Sequence, residues 1–597
     1  MWRHRLKPLR VAGALVVGSG LTAALMDFRD AMPASVGHWL GAVQMVPATI
    51  AFATGAGLAA GVIVVVILAV TLLVGRVYCS VVCPLGVLQD GIARLAAWRR
   101  ERPSRLPHAR PQNALRYGFL GLTLAGVAAG WGGLTLALLD PYSSYGRIAA
   151  GLFRPLLVLA NNAVVGFAEL LGFPLLYRVE TPWLGAGVLV LPLVMLTLVG
   201  VLAVRRGRLF CNTVCPVGTL LGLVARRAAW RLTIEQSACV RCGECLPVCK
   251  AQCIDLRAGV IDASRCVACY NCIGACPELG IAYDYAWTPP VPEPGTETEP
   301  EEETDPDGEP EPEPAAPLSE GVAIVGAGGG AADSVRRSLV RSSDPQDAFA
   351  DAPMPAPARW GQGPPPALNA LPGLPANPAR RVFLGGAMAA TAASLSTNLF
   401  AAGMEPPPDP NQSTAVCPPG AGSVDRYLNR CTACHLCVSA CPTQVLRPAL
   451  LEYGFAGYLR PRLDYTRSFC NFDCRRCGEV CPTGAIALLA LPEKQVTRVG
   501  RAVLTRELCV VEKDGTDCAA CSEHCPTKAV HTVPFRDNLR LPEVRDELCI
   551  GCGACEFACP VVPKKAILVT GRRRHERAEK VDEAKLAPAN PTEDFPF

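Results

Sequence analysis

The sequence predicts an α-helical membrane domain of four spans plus a tether span, joined to small α+β domains rich in cysteine. Three observations lead there. Half of the 597 residues are hydrophobic and only 18% are charged, and mean hydropathy is +0.25. That excludes a wholly disordered chain and places part of it in a bilayer. The apolar residues gather before residue 235, whereas most of the thirty cysteines fall later. Thirty is too many for an enzyme core, and the chain is too long for a disulfide-stapled scaffold. A net charge of +4 is close to balance and argues against nucleic acid as a partner.

Composition divides the chain into five parts. Residues 1–235 are apolar with basic punctuation, and 236–288 are cysteine-rich. Residues 289–379 form a linker of Pro, Glu, Gly and Ala. Residues 380–403 begin with paired arginines, and 404–597 are cysteine-rich again. In the first part the spans are about 9–26, 55–74, 117–139 and 183–204, each close to the roughly 20 apolar residues a bilayer requires. The stretch 155–178 carries Asn161, Asn162 and Glu169 and is expected to lie at the interface or re-enter. Basic clusters at Arg3–Arg10, Arg94–Arg110 and Arg205–Arg231 share one side if there are four spans. That side is the cytoplasm by the positive-inside rule.

The linker alternates Pro with Glu and Asp from Pro289 to Pro317 and cannot bury a core. Its Val325–Ala331 glycine run imitates a dinucleotide loop, but no βαβ pattern follows, so a glycine patch is expected. Arg380-Arg381 precede a mildly apolar stretch, 382–402. This resembles a twin-arginine export signal that stays as a tether span. A translocon that threads unfolded chains cannot pass a domain already loaded with cofactor, and a twin-arginine route can.

Cys239, Cys242, Cys245 and Cys249 are spaced x2, x2, x3, and Cys266, Cys269, Cys272 and Cys276-Pro repeat the spacing. This is the ferredoxin-like run that binds two 4Fe-4S clusters, in which the fourth cysteine of each quartet reaches the neighbouring cluster. One expected set is Cys239, Cys242, Cys245 and Cys276; the other is Cys266, Cys269, Cys272 and Cys249. Four more quartets follow: Cys431, Cys434, Cys437, Cys441; Cys470, Cys474, Cys477, Cys481; Cys509, Cys518, Cys521, Cys525; and Cys549, Cys552, Cys555, Cys559. Each ends in Cys-Pro. Spacing does not fix which of these exchange their last cysteine; a nested pairing, first with last and second with third, is expected. Cys253 is expected to be a packed free thiol and Cys417 stands alone. His435 and His524 are expected to face solvent, since four thiolates suffice.

The membrane part holds a repeat. Gly75-Arg-Val-Tyr-Cys79-Ser-Val-Val-Cys83-Pro-Leu-Gly86 is matched by Gly207-Arg-Leu-Phe-Cys211-Asn-Thr-Val-Cys215-Pro-Val-Gly218, and the same offset relates Trp98 to Trp230. Residues at i and i+4 share a helical face. Two like-oriented halves bring Cys79, Cys83, Cys211 and Cys215 either onto one metal centre or into two dithiol pairs.

Together these features resemble the NapH and NapG electron-transfer proteins of periplasmic nitrate reduction, fused in one chain. The membrane half is also similar to the NosR and CcoG group. The departures are the fusion itself and Cys417-Pro-Pro-Gly-Ala, where relatives carry Arg before Pro-Pro-Gly-Ala. The resemblance implies a multi-pass protein of the bacterial inner membrane that takes electrons from quinol, with membrane lipid and the quinone pool as its surroundings. It further implies a periplasmic C-terminal domain that passes electrons to a periplasmic redox partner. A maturation factor or a redox-sensing regulator would use the same clusters. No nucleophile–base pair or phosphate loop suggests substrate chemistry of its own. Asp140, Tyr142, Tyr145 and Arg147, with His38, are the candidate quinol site; the alternative for Asp140 is a helix N-cap.

Overall fold

The computed structural model describes residues 3–98, 110–285 and 412–580, apart from 56, 130–131, 173–176, 182–184 and 414. The linker, the Val325–Ala331 run, the Arg380-Arg381 signal and its tether lie outside the described residues.

The N-terminal part is helical: α1 (Arg3–Met26), α2 (Ala34–Ala42), α3 (Met45–Ala53), α4 (Leu58–Val74), α5 (Tyr78–Val81), α6 (Pro84–Trp98), α7 (Asn113–Ala128), α8 (Gly132–Leu139), α9 (Pro141–Ile148), α10 (Arg154–Leu170), α11 (Ala186–Arg206), α12 (Leu209–Thr213) and α13 (Pro216–Ala225). Among the described residues three helices are long and apolar enough to cross a membrane: Arg5–Met26, Pro141–Leu170 and Ala186–Arg206. The pair α2–α3, bent by 86°, makes a fourth if it counts as one span. This differs from the expected four. Helix α4 has only 17 residues, and the 117–139 stretch is split between α7 and α8, where the glycines around residue 132 weaken a continuous helix.

The 155–178 stretch is no separate piece. Its residues 155–170 are the latter half of a continuous 30-residue helix that passes from α9 to α10 through a π-helical turn, Ala149–Phe153. That helix runs along the C-terminal part. Arg147 Nη1 donates to the Ala433 carbonyl at 3.5 Å, and Arg154 lies beside Cys441 and Pro442.

The two cysteine-rich parts sit at opposite ends of the long helices. Near the start of α11, the Tyr458 hydroxyl donates to the Gly187 carbonyl at 3.2 Å. At its end, the Arg208 N–H donates to the Lys250 carbonyl at 2.8 Å. Twenty-one helical residues separate these contacts by roughly 32 Å, about the thickness of a bilayer core. Helix α4 repeats the pattern. Arg430 Nη2 bonds the Thr54 carbonyl just before it at 2.9 Å, and the Tyr283 hydroxyl bonds the Val74 carbonyl at its end at 3.0 Å.

Antiparallel pairing of Trp230–Ile234 with Ile281–Tyr285 closes the first cysteine-rich part around its two quartets. In the second, Ile567–Arg577 pairs with Thr497–Leu504 and with Gln412–Ser413, and Val530–Pro534 pairs with Arg540–Val544. One expectation fails here: His435 is 2% exposed, with Nε2 at 2.9 Å from the Leu459 carbonyl. It sits in the left-handed backbone region at φ +61° and starts the helical turn Leu436–Ser439, which packs against α1. Burial pushes its pKa down to about 4. His524 is exposed and caps its own turn.

Candidate electron-transfer centres

The repeated motif brings its two halves together around four thiols. Helices α4 and α11 both stop at a glycine with positive φ, +81° at Gly75 and +60° at Gly207, a region only glycine enters freely. The next residue, Arg76 or Arg208, turns back into the protein and is essentially unexposed. Pro84 and Pro216 open α6 and α13, where proline suits the first turn. Cys215 Sγ accepts the Gly218 N–H at 3.3 Å. Glycine is required at 86 and 218, because a Cβ there would meet the carbonyls of Cys79 and Cys211 at 2.4 and 2.1 Å.

Cys79, Cys83, Cys211 and Cys215 are each 4–5% exposed and lie within electrostatic reach of one another. Each arginine crosses to the other half or back to a thiol. Arg208 Nη1 donates to the Cys79 carbonyl at 2.6 Å. Arg76 Nη2 donates to the Cys211 carbonyl at 3.4 Å and reaches Cys79 Sγ at 3.7 Å. These cations balance thiolate charge in a buried site.

Asp90 ties this centre to the first cysteine-rich part. Its carboxylate pairs with Arg208, Lys250 and Arg10 at 2.9, 2.9 and 3.1 Å. Burial pushes its pKa up, but Arg208 and Lys250 outweigh that and hold it well below the usual carboxylate range. Asp90→Asn leaves three cations facing one another, Arg208 fully buried. The expected cost is about 3–5 kcal/mol, read as a lower denaturation midpoint of the intact protein.

The six quartets form sets of four. Cys239, Cys242, Cys245 and Cys276 line one cavity with Ile234, Leu256 and Ile281. Cys272 lies near Cys269, Cys266 and Cys249. In the C-terminal part, Cys437 neighbours Cys434, Cys431 and Cys481, and Cys477 neighbours Cys470, Cys474 and Cys441. Cys521 neighbours Cys518, Cys509 and Cys559, and Cys555 neighbours Cys552, Cys549 and Cys525. The nested pairing is therefore corrected: the first quartet exchanges with the second and the third with the fourth. Packing is the reason: the turn Leu436–Ser439 lies against Arg476–Val480, and Ala520–Glu523 against Ala554–Ala558. Among the described residues no group is arranged for a single metal ion, whereas thiols gathered in fours fit 4Fe-4S clusters. Cys253 is buried with its Sγ 3.7 Å from that of Cys249. Cys417 is fully buried, and the Tyr453 hydroxyl donates to its sulfur at 3.3 Å.

The sets follow one another in line. Cys245 and Cys249 join the first two. Arg76 stands between Cys266 and Cys79. The Cys470 N–H donates to the Cys552 carbonyl at 2.9 Å, joining the two C-terminal pairs. Between the repeat centre and the Cys431 set lies α9. Tyr78 is near both Cys83 and Asp140, and Tyr142 is near Asp140, Cys434 and Cys481.

The residues chosen as a quinol site thus gather at this joint. Asp140 caps α9, accepting the N–H groups of Tyr142 and Ser143 at 3.3 and 3.0 Å and the Ser143 hydroxyl at 2.6 Å. Tyr145 pairs with the Thr22 hydroxyl, Arg147 Nη2 donates to Ser144 Oγ at 3.2 Å, and His38 lies against the Cys481 backbone. Asp140, Tyr142 and Arg147 are each 1% exposed. Sequence reading missed Arg76, Arg208 and Asp90. The Gly-Arg shared by both repeats was the available signal for the arginines, and nothing local marked Asp90.

Thiol sets in line along a helical scaffold define an iron–sulfur electron-transfer protein. Residues 56–103 and 188–234, the two halves of the repeat, match the family described as a 4Fe-4S binding domain. Residues 430–486 match a 4Fe-4S dicluster domain, and 542–563 match a further 4Fe-4S binding domain. Among curated proteins, the chain is 32% identical over 205 residues to the methylamine utilization ferredoxin-type protein MauM of Methylorubrum extorquens, covering 33% of this chain and 91% of that protein. It is 31% identical over 164 residues to the ferredoxin-type protein NapG of Escherichia coli, 26% of this chain and 68% of that one. It is 28% identical over 149 residues to NapF of the same organism, 25% and 82%. The chain belongs to this family of ferredoxin-type iron–sulfur proteins. No solved structure matches it.

Proposed function

We propose that the chain is a membrane-bound electron relay that takes electrons from quinol and delivers them to a periplasmic oxidoreductase. Six 4Fe-4S clusters occupy the six quartet sets, and the repeat cysteines hold a seventh centre. The observation that carries this reading is the single file of thiol sets from one end of the long helices to the other. Helices α1 and α11 cross the membrane, the basic clusters keep the Cys239–Cys276 part in the cytoplasm, and the C-terminal part lies outside. The 289–379 linker and the Arg380-Arg381 signal supply its route out. The NapG likeness supports a partner of the periplasmic oxidoreductase kind.

Reporter fusions after Gly403 and within the linker test the topology. A periplasmic signal from the first and a cytoplasmic signal from the second are expected, and Arg380→Lys with Arg381→Lys should trap the C-terminal part inside. A cytoplasmic reporter after Gly403 in the unmodified chain would exclude a relay across the membrane.

A further inference from the structure

We propose that quinol binds at the seam between the end of α1 and the second C-terminal thiol set, away from the Asp140–Arg147 helix. This rests on the relay reading above and gives its donor a place. A cavity of about 230 Å3 lies there, lined by the loop after α1, by Arg154 and by Ser439, Cys441 and Pro442. Cys441 belongs to the set with Cys470, Cys474 and Cys477, so a molecule in the cavity lies against a cluster ligand. Two polar groups in its wall are 4% exposed, and the Nε of Arg154 and the hydroxyl of Ser439 have no hydrogen-bond partner. Buried polar groups ordinarily have one, so both are free for a ligand with oxygens at its edges.

The second half of the site is apolar. A groove of about 680 Å3 runs along α1 past Leu15, Ser19 and Ala23 to Leu157, and it shares Asp27, Phe28, Arg29 and Met32 with the cavity. Leu15 on this face is 63% exposed. A hydrogen-bonding head beside a cluster ligand, continuous with an apolar trough, fits a ring quinol with a hydrocarbon tail. Oxidation of one quinol to quinone releases two electrons and two protons. The electrons pass singly to the set containing Cys441 and on to its neighbours; the protons leave to water at the rim, where Asp30 is exposed and paired with Arg476.

The test uses anaerobic, cluster-loaded full-length protein, with decylubiquinol as tailed donor, duroquinol as tail-less donor and dithionite as control. Ser439→Leu fills the cavity and should slow reduction by both quinols about tenfold, the scale of one lost hydrogen bond to a buried group, with iron content and dithionite reduction unchanged. Ala23→Trp, on the exposed groove, should weaken only decylubiquinol. Unchanged quinol reduction in both variants, with loss in Arg147→Ala, overturns the site in favour of the α9 joint. If unmodified protein accepts electrons from dithionite but from neither quinol, the donor reading fails. Equilibrium dialysis of oxidised decylubiquinone then decides the site alone: binding that Ser439→Leu abolishes upholds it, and no binding refutes it.

Discussion

Cys83→Ser and Cys215→Ser should each remove the same spectroscopic signal, while the signals of the other clusters persist. The four repeat thiols are buried together between Arg76 and Arg208, and one shared centre would need all four. Electron passage between the Cys239–Cys276 part and the C-terminal part should fall by more than about 100-fold, beyond what changes around a ligand usually cause. Purified protein should keep roughly 24 irons, four for each of six 4Fe-4S clusters. Low-temperature paramagnetic resonance and metal analysis measure both. Separate, additive losses in the two variants would show two independent dithiol pairs.

Gly146→Val should uncouple the C-terminal part from the helices while leaving each half loaded. A Cβ at Gly146 would stand 2.2 Å from the Cys434 carbonyl, a backbone atom that cannot swing aside. Overpacking of this kind costs about 1–3 kcal/mol where a core can give, and here the obstruction is main chain beside a cluster ligand. Limited proteolysis should release the C-terminal part more readily. Rapid-mixing measurements should show reduction of the repeat centre no longer followed by reduction of the outer clusters. Gly121→Val, with nothing within 4 Å of its Cβ position, should leave transfer unchanged.

Much of the site was legible because cluster binding is written locally. Three cysteines must wrap one cluster within a few residues, so the spacing x2, x2, x3 and the closing Cys-Pro carry the chemistry in the chain itself. The internal repeat was legible for the same reason: Gly-Arg, Cys-x3-Cys-Pro and the glycine two residues on each meet a local backbone demand, seen in the positive φ of Gly75 and Gly207 and the tight contacts of Gly86 and Gly218. Apolar length located Arg5–Met26 and Ala186–Arg206 but not the longest helix, Pro141–Leu170. Helices α2 and α3 went unread because their 34–53 stretch is too short and too bent to show as a span. Its meaning lies in a distant contact, Gln44 Nε2 to the Val82 carbonyl at 3.3 Å.

The sequence by itself determined that this is a multi-cluster iron–sulfur protein with a duplicated helical half, because those features rest on short-range spacing and periodicity. Tertiary structure alone decided the order of the centres, the exchange of adjacent quartets, and the burial of His435. It also decided that Asp140, Tyr142 and Arg147 fill a joint between two centres. Each of these depends on which surfaces meet, across separations from 24 residues for His435 and Leu459 to 286 for Arg147 and Ala433. Pairwise contacts such as Arg208 with Asp90, or Gly146 with Cys434, leave no mark in local composition, because what selects them is the packing of one finished helix or domain against another.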